Sequence, residues 1–206
     1  MTASAASTMP NYTGCTVDGR YELVRILGSG TYGVVYQAVD IRPSSSGDHA
    51  SRAVKMIRKA GRKPSELAAA RREIALHRLV SDHPNIVTVH DAYEDDDYFY
   101  IVMDLCRGGD LFEPICKRIY VDNDALLRKA FISLIDAVEA CHSSRVYHRD
   151  LKPENILVSE DRTEIYLADF GMATNRSTVA EFYCGTAAYM SPGTFSVLPC
   201  IRKPRC

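Results

Sequence analysis

Eight consecutive residues, His148-Arg149-Asp150-Leu151-Lys152-Pro153-Glu154-Asn155, concentrate acidic, basic and amide side chains in one short stretch. Short apolar runs bracket them, Val146-Tyr147 before and Ile156-Leu157-Val158 after. A third run, Ile165-Tyr166-Leu167-Ala168, leads into Asp169-Phe170-Gly171. Such bracketing predicts a polar loop held by short strands, where functional groups concentrate. The block offers two acids, two basic side chains and the amide of Asn155, and Asp169 stands 19 residues beyond Asp150. That inventory suits a metal-bound polyphosphate. Carboxylate and amide oxygens serve Mg²⁺, a carboxylate serves an attacking hydroxyl, and a lysine serves the charge on a moving phosphoryl group.

Composition narrows the classes. At 206 residues the chain can bury one good core or two small lobes. Net charge is −1, which gives no reason to expect nucleic acid or an anionic membrane as partner. No apolar run is long enough to span a bilayer. The seven cysteines (15, 106, 116, 141, 184, 200, 206) are irregularly spaced and form no CxxC pair, so reduced thiols in a cytoplasmic or nuclear setting are expected. Residues 1–20 lack the apolar core of a secretory signal, and their first arginine is Arg20. They are expected to be a flexible leader.

Tyr21–Leu27 predicts a strand, followed by Gly28-Ser29-Gly30-Thr31-Tyr32-Gly33 and then Val34–Val39. Strand, glycine turn and β-branched strand describe a hairpin. The glycine motif alone is weak: a dinucleotide fold needs it to open a helix, and Val34-Val35-Tyr36 starts a helix poorly. A Walker A loop lacks its Gly-Lys-Ser/Thr here, and a turn with no ligand stays open. Residues 41–52 read as a loop, and Ala53-Val54-Lys55-Met56-Ile57 as a strand. Alternation puts Lys55 on one face with Ala53 and Ile57. A lysine so placed either snorkels or meets an acid. Ser65 is the expected N-cap of a helix running to Val80. Its apolar stripe is Ala69, Ala70, Leu76 and Val80, and Glu73 lies on that stripe, so it either reaches solvent or finds a partner. Residues 86–93 and 98–103 read as two strands joined by the acidic run 94–97, most simply a solvated tip. Asp122-Asn123 can cap a helix to Ser143, with Leu126, Leu127, Ala130, Phe131, Leu134, Ile135 and Val138 at helical spacing. His142 near its end is expected to be structural, since no second ligand stands at metal spacing.

Taken together, the glycine hairpin, Lys55, Glu73, the His148–Asn155 block and Asp169-Phe170-Gly171 resemble the eukaryotic protein kinases of serine/threonine type. Their style, with Asp82-His83-Pro84-Asn85-Ile86-Val87 and the run Cys184–Pro192, is similar to certain fungal kinases. The resemblance implies an α+β, bilobal fold. An N-lobe of five antiparallel strands and one helix would span 21–103, a hinge 104–109, and a partial helical C-lobe 110–192. ATP and Mg²⁺ are the implied cofactors, and protein serine or threonine hydroxyls the substrates. Lys152-Pro153-Glu154 is the serine/threonine mark.

The resemblance also implies roles. Asp150 would receive or orient the hydroxyl proton, with Lys152 near the moving phosphoryl group. Asn155 and Asp169 would hold Mg²⁺. Lys55, paired with Glu73, would clamp the α/β-phosphates. Leu27, Gly28, Gly30, Gly33, Val35 and Ala53 would surround the nucleotide from one side, and Leu157 would form the floor of the adenine pocket. Met103 would be the gatekeeper, Asp104 and Cys106 would offer backbone groups to adenine, and Asp110 would face the ribose. Phe170 and His148 would stack in a column with His77 and Val89, a column expected to be looser because the family usually has a larger apolar residue at position 77. Thr186 would stand near Asp150, and Glu154 would meet a basic group on the substrate. Phe182 occupies the common activating phosphosite, so activation without phosphate there is expected, with Glu181 offering Arg149 an anion and Ser177 and Thr178 as other sites.

The resemblance stops near residue 192. Gly193 stands where the family has Glu, and 193–206 read as a tail with no family pattern. The expected consequence is a truncated C-lobe with part of the 126–138 apolar surface exposed. Two functions follow as expectations: an ATP-dependent serine/threonine kinase, or a non-catalytic nucleotide-binding or regulatory fragment.

Overall fold

Six strands between Thr16 and Asp104, several of them rich in β-branched and aromatic residues, build one antiparallel sheet. The computed structural model describes residues 9–30, 33–42, 49–176 and 185–190. The chain forms two compact units. The first combines Met1–Arg71 with Thr88–Leu105, the second Arg72–Val87 with Cys106–Cys206. The crossing at Leu105 falls inside the 104–109 stretch.

The first unit is the sheet. Its strands are β1 (Thr16–Val17), β2 (Tyr21–Gly30), β3 (Gly33–Asp40), β4 (Ser51–Arg58), β5 (Val89–Glu94) and β6 (Tyr98–Asp104), in the order β1-β2-β3-β4-β6-β5. Six strands replace the five expected. The extra one comes from the supposed leader: Asp18 and Gly19 both adopt left-handed φ (54° and 58°) and fold Thr16-Val17 back onto β2. Asp-Gly suits such a turn because both residues enter that region at little steric cost. Residues 9–17 are therefore part of the sheet's structure, while 1–8 lie outside the described residues. One face of the sheet carries Tyr36, Val54, Met56, Tyr98, Tyr100 and Val102, all buried, with Tyr21 and Leu23 of β2. β2 also runs on through Gly28–Gly30, and β4 starts at Ser51, two residues before the expected strand.

Helix α1 (Pro64–Val80) starts one residue before the expected Ser65 cap. Proline suits a first helical position because its missing N–H has no partner to lose there. Glu66 reaches back and accepts the Lys63 backbone N–H at 2.8 Å, which does the capping instead. The helix spans the boundary between the units. Ala70, Glu73, Leu76, His77 and Val80 are its buried residues.

The second unit packs Leu76, Val80, Ile86, Ala137, Cys141, Val146, Ile156, Val158, Ile165, Leu167, Phe170 and Ala173 into one core. The expected 86–93 strand divides. Ile86 bridges Leu167 in the second unit, while pairing with β6 begins only at Val89. A five-residue helix, α2 (Phe112–Cys116), precedes α3 (Asp124–Ser143). Asn123 caps α3 by accepting the Leu126 N–H at 3.1 Å, as the sequence predicts. β7 (Ile156–Val158) and β8 (Ile165–Leu167) form a small hairpin. Val146-Tyr147 is not a strand of its own; Tyr147 makes a single bridge to Thr174. Along α3, Ala137 and Cys141 are buried and Ala130, Leu134 and Val138 half-buried, whereas Leu127, Phe131, Ile132 and Ile135 are exposed. No helix among the described residues is long and apolar enough to cross a membrane.

Candidate active site

The expected nucleotide residues of the first unit share a sheet face. Val35 pairs with Lys55, Lys55 with Ile101, and Ala53 with Met103. Directly opposed residues of an antiparallel pair project to one side, so Val35, Ala53, Lys55 and Met103 stand together on the face opposite Tyr36 and Val54. Ala53 is buried and the other three are half-buried. Asp104 ends β6, where His90 meets its carboxylate and its N–H donates to Thr88 O at 3.1 Å.

Gly28 and Gly30 lie in β2, opposite Val35 and Gly33. A Cβ at Gly28 or Gly30 would meet nothing within 4 Å. At Gly33 it would fall 2.1 Å from the Met56 carbonyl oxygen. Gly33 is thus required by the sheet itself, while Gly28 and Gly30 leave an open backbone that a phosphate could approach. Leu27 is skipped by the β2–β3 register and is 38% exposed. Thr31 and Tyr32 lie outside the described residues.

The second unit carries the rest. Asp150 is the best-held group. Its Oδ2 accepts from Lys152 Nζ at 2.8 Å and from Asn155 Nδ2 at 3.0 Å. Its Oδ1 accepts from both the backbone N–H and the Oγ1 of Thr186, each at 2.8 Å. Burial alone would raise its pKa, but the bonds from Lys152 and Thr186 outweigh that and hold it below the ordinary carboxylate range. The same contact raises Lys152. Lys152 Nζ also donates to Thr186 Oγ1 at 2.9 Å, so Thr186 is tied to both groups as well as near Asp150.

Asn155 is buried at the end of a short 3-10 turn, Pro153–Asn155, and its Nδ2 donates to Asp150 O at 2.9 Å. With the amide nitrogen so committed, Oδ1 is the atom available to a cation. Glu154 of the same turn is exposed. Asp169 adopts left-handed φ (58°), and its Oδ1 accepts the Gly171 N–H at 3.4 Å. Glu73 comes alongside: a Cβ on Gly171 would stand 3.5 Å from its Oε2. Lys55 belongs to the first unit and Glu73 to the second.

Phe170 is fully buried between two imidazoles. His77 stacks on it at 4.4 Å and 24°, and His148 meets it edge-on at 4.9 Å and 69°. Position 77 is therefore not loose. His77 is itself 1% exposed and donates from Nε2 to Val87 O at 2.7 Å, a bond that an apolar side chain could not make. Burial lowers the pKa of His148, whose Nε2 donates to Ala168 O at 2.9 Å. Arg149, at φ 67°, donates from Nε to Met172 O at 2.7 Å. Sequence carries no signal for that bond or for the left-handed backbone of Arg149 and Asp169.

Between Cys106, which is half-buried, and Leu157, the chain is fixed by backbone. Gly108 N–H donates to Val158 O, and a Cβ there would lie 2.1 Å from Ser159 O. Asp110 bridges Leu157 and accepts from the N–H groups of Phe112 and Glu113 at 3.0 and 3.3 Å. One of its oxygens therefore starts α2, a task that the sequence reading did not assign. His142 is exposed, with its ring 5.4 Å from that of Tyr147. Ser177, Thr178, Glu181, Phe182 and the tail 193–206 lie outside the described residues.

The donor set fits Mg²⁺. Among the described residues no three His, Cys, Asp or Glu side chains gather as a metal site of their own. Mg²⁺ commonly keeps its waters and phosphate oxygens and takes only one or two protein ligands, which the oxygens of Asn155 and Asp169 can supply.

A sequence model of the protein kinase domain matches residues 21–198. The "Negative regulator of sexual conjugation and meiosis" of Schizosaccharomyces pombe is 47% identical over 170 residues, covering 82% of this chain and 35% of that protein. "CBL-interacting protein kinase 15" of Oryza sativa subsp. japonica is 39% identical over 183 residues, 86% of this chain and 40% of that protein. "CBL-interacting serine/threonine-protein kinase 20" of Arabidopsis thaliana is 38% identical over 179 residues, 84% of this chain and 39% of that protein. The chain thus spans well under half the length of these relatives.

Proposed function

The chain belongs to the protein kinase domain family, and from that premise we propose that it transfers the γ-phosphoryl group of ATP to serine or threonine hydroxyls of proteins. The observation that carries this reading is the Asp150 carboxylate, held by Lys152, Asn155 and Thr186 at 2.8–3.0 Å and kept ionised. A carboxylate so fixed can orient a hydroxyl and receive its proton as the new O–P bond forms and the bond to the leaving ADP oxygen breaks. Lys152, bonded to Asp150, can neutralise charge on the phosphoryl group in transit. Thr186 bonds to both groups, through its hydroxyl to Lys152 and through its hydroxyl and N–H to Asp150. Asn155 Oδ1 and the Asp169 carboxylate are the groups that would hold Mg²⁺, which when bound offsets the phosphate charge. Lys55, on one sheet face with Val35, Ala53 and Met103, is proposed to meet the α/β-phosphates. Glu154, exposed beside this cluster, is proposed to receive a basic substrate side chain.

A second reading, a nucleotide-binding module without transfer activity, is favoured by the exposed apolar face of α3, where Phe131 is 62% exposed. Two measurements separate them: thermal unfolding with and without Mg-ATP, and phosphoryl transfer to a mixed serine/threonine peptide set. Ligand at a hundredfold excess over Kd should add about 2.7 kcal/mol. The shift should vanish in Asp169→Asn. A shift with transfer supports the kinase; a shift without transfer supports the module; no shift sinks both.

A further inference from the structure

Residues 9–17 lie across the face of the first unit's sheet that carries Tyr36, Tyr98 and Tyr100, and they precede the stretch shared with the family. Tyr12 is the centre of the contact. Its hydroxyl shares a hydrogen bond with that of Tyr98 at 2.8 Å, and its ring meets the Tyr98 ring edge-on at 5.7 Å. Its backbone N–H donates to Tyr36 Oη at 3.2 Å, and Tyr36 Oη donates to Pro10 O at 3.4 Å. Met9 and Tyr12 both pack against the buried cluster of this face. Burial and the Tyr12 hydroxyl push the pKa of Tyr98 up to about 12, so Tyr98 is neutral across the physiological range.

Besides the β1 pairing of Thr16 with Glu22 and Val17 with Tyr21, the segment is tied to β2 at Leu23. Gly14 N–H donates to Leu23 O at 2.7 Å, and Leu23 N–H donates to Cys15 O at 2.9 Å. Both peptide groups of Leu23 are thus taken up on the side away from β3. Leu23 is also where the β2–β3 ladder first loses register, between Leu23 and Arg25, and register slips again between Ile26 and Gly28. β2 stays paired with β3 from Arg25 to Gly30, but the ladder is locally disrupted at each of these slips. Every residue from Val24 to Gly30 is exposed. The root of the glycine strand, at Leu23, is thus held between Ala38 of β3 on one side and residues 14–15 on the other.

We infer that residues 9–17 act as a clamp on Leu23 which restrains the Gly28–Gly30 strand and so sets how tightly this unit holds a nucleotide phosphate. The last step rests on the nucleotide-binding reading above; the restraint itself does not.

The test is amide hydrogen exchange on the 206-residue chain and its Tyr12→Ala and Tyr12→Phe variants. Tyr12→Ala should speed exchange by about tenfold at Leu23 and at Ile26–Gly30, since it removes a packed ring and a hydrogen bond. The β7–β8 hairpin of the other unit serves as an unchanged reference. Tyr12→Phe keeps the ring and should give a smaller increase, about two- to threefold, at the same amides. It serves as the deciding variant if Tyr12→Ala does not fold. Faster exchange at Leu23 with Ile26–Gly30 unchanged would overturn the clamp, leaving a local cover. No change at either place would overturn it too. Calorimetric titration with Mg-ATP should show a severalfold weaker Kd in the variant whose hairpin exchanges faster; an unchanged Kd would overturn the link to phosphate. Should the unmodified chain bind no Mg-ATP, the nucleotide reading fails, and the exchange rates still decide the restraint.

Discussion

The glycine strand and the loop around Asp150 are both marked by short motifs, yet they are built in opposite ways. From Val24 to Gly30 the strand is exposed and its ladder slips register twice. The loop is cross-braced: Asn155, Lys152 and Thr186 converge on Asp150, His148 is fixed to Ala168 O, and Arg149 to Met172 O. The first arrangement suits a cover that must admit and release a ligand, the second a set of groups that must already stand in place when the ligand arrives. Pre-organisation here is a property of side-chain bonds, and adaptability a property of backbone left without them.

The largest test of that contrast is Asp150→Asn. The amide keeps the shape but loses the charge and the proton acceptor. Phosphoryl transfer should fall by about 10²–10⁴-fold, whereas Mg-ATP should still raise the unfolding temperature. Initial-rate assays beside thermal shifts read both. Loss of nucleotide binding together with transfer would show that Asp150 holds the loop up instead of serving the chemistry.

Next in size is a pair of glycine substitutions. Gly33→Ala drives a Cβ to within 2.1 Å of the Met56 carbonyl, which is backbone and cannot swing aside. It should destabilise the first unit by about 1–3 kcal/mol. Gly30→Ala, with nothing within 4 Å, should stay within about 0.5 kcal/mol and act on nucleotide affinity instead. Denaturant unfolding followed by nucleotide titration separates them. Equal losses of stability would mean that the strand is no more adaptable than the loop.

Much of this was legible in the sequence, for reasons that differ by element. Lys55 could be placed with Ala53 because strand alternation needs no tertiary knowledge. The sixth strand is equally readable: Asp18-Gly19 between Thr16-Val17 and Tyr21 is a strong hairpin signal, although the composition of the segment is that of a leader. Periodicity found α3 but merged two faces, one packed through Ala137 and Cys141, the other exposing Phe131 and Ile135. Spacing alone cannot say which face has a neighbour. The left-handed backbone of Arg149 has no signal in its residue type, and at Asp169 the tolerance of Asp for that region permits it without requiring it. Size alone is a poor guide to position 77. The stacking of His77 on Phe170 and its bond to Val87 O depend on ring and nitrogen together.

Asn155 tests the bracing itself. It is buried, and its amide nitrogen satisfies the Asp150 carbonyl. Asn155→Ala leaves that oxygen without this donor and should lower the stability of the second unit by about 1–3 kcal/mol. The measurement is chemical unfolding. A change under about 0.5 kcal/mol would mean that Lys152 and Thr186 brace the loop without help.

The smallest expected effect is a pH slope confined to the braced side. His148 is neutral in the fold, with Nε2 donating to Ala168 O and Nδ1 accepting the Asp150 N–H at 3.3 Å. Burial is the main reason its pKa lies below the ordinary 6.5. The unfolded chain therefore binds more protons in the window just below 6.5, and stability rises with pH through that window. The contribution is present above about pH 6.5 and is lost as pH falls through the folded-state pKa. Asp150 titrates with the same sign but only below its ordinary 3.8, so the two do not overlap. Unfolding free energies at pH 7.5 and 5.5 should differ for the unmodified chain, and His148→Gln should flatten the difference. Amides of the glycine strand, which faces no such buried imidazole within its own unit, should exchange with no break near pH 6.5 beyond the intrinsic dependence. A matching break there would show that the strand's opening is governed by the same proton, and that the two elements are not independent.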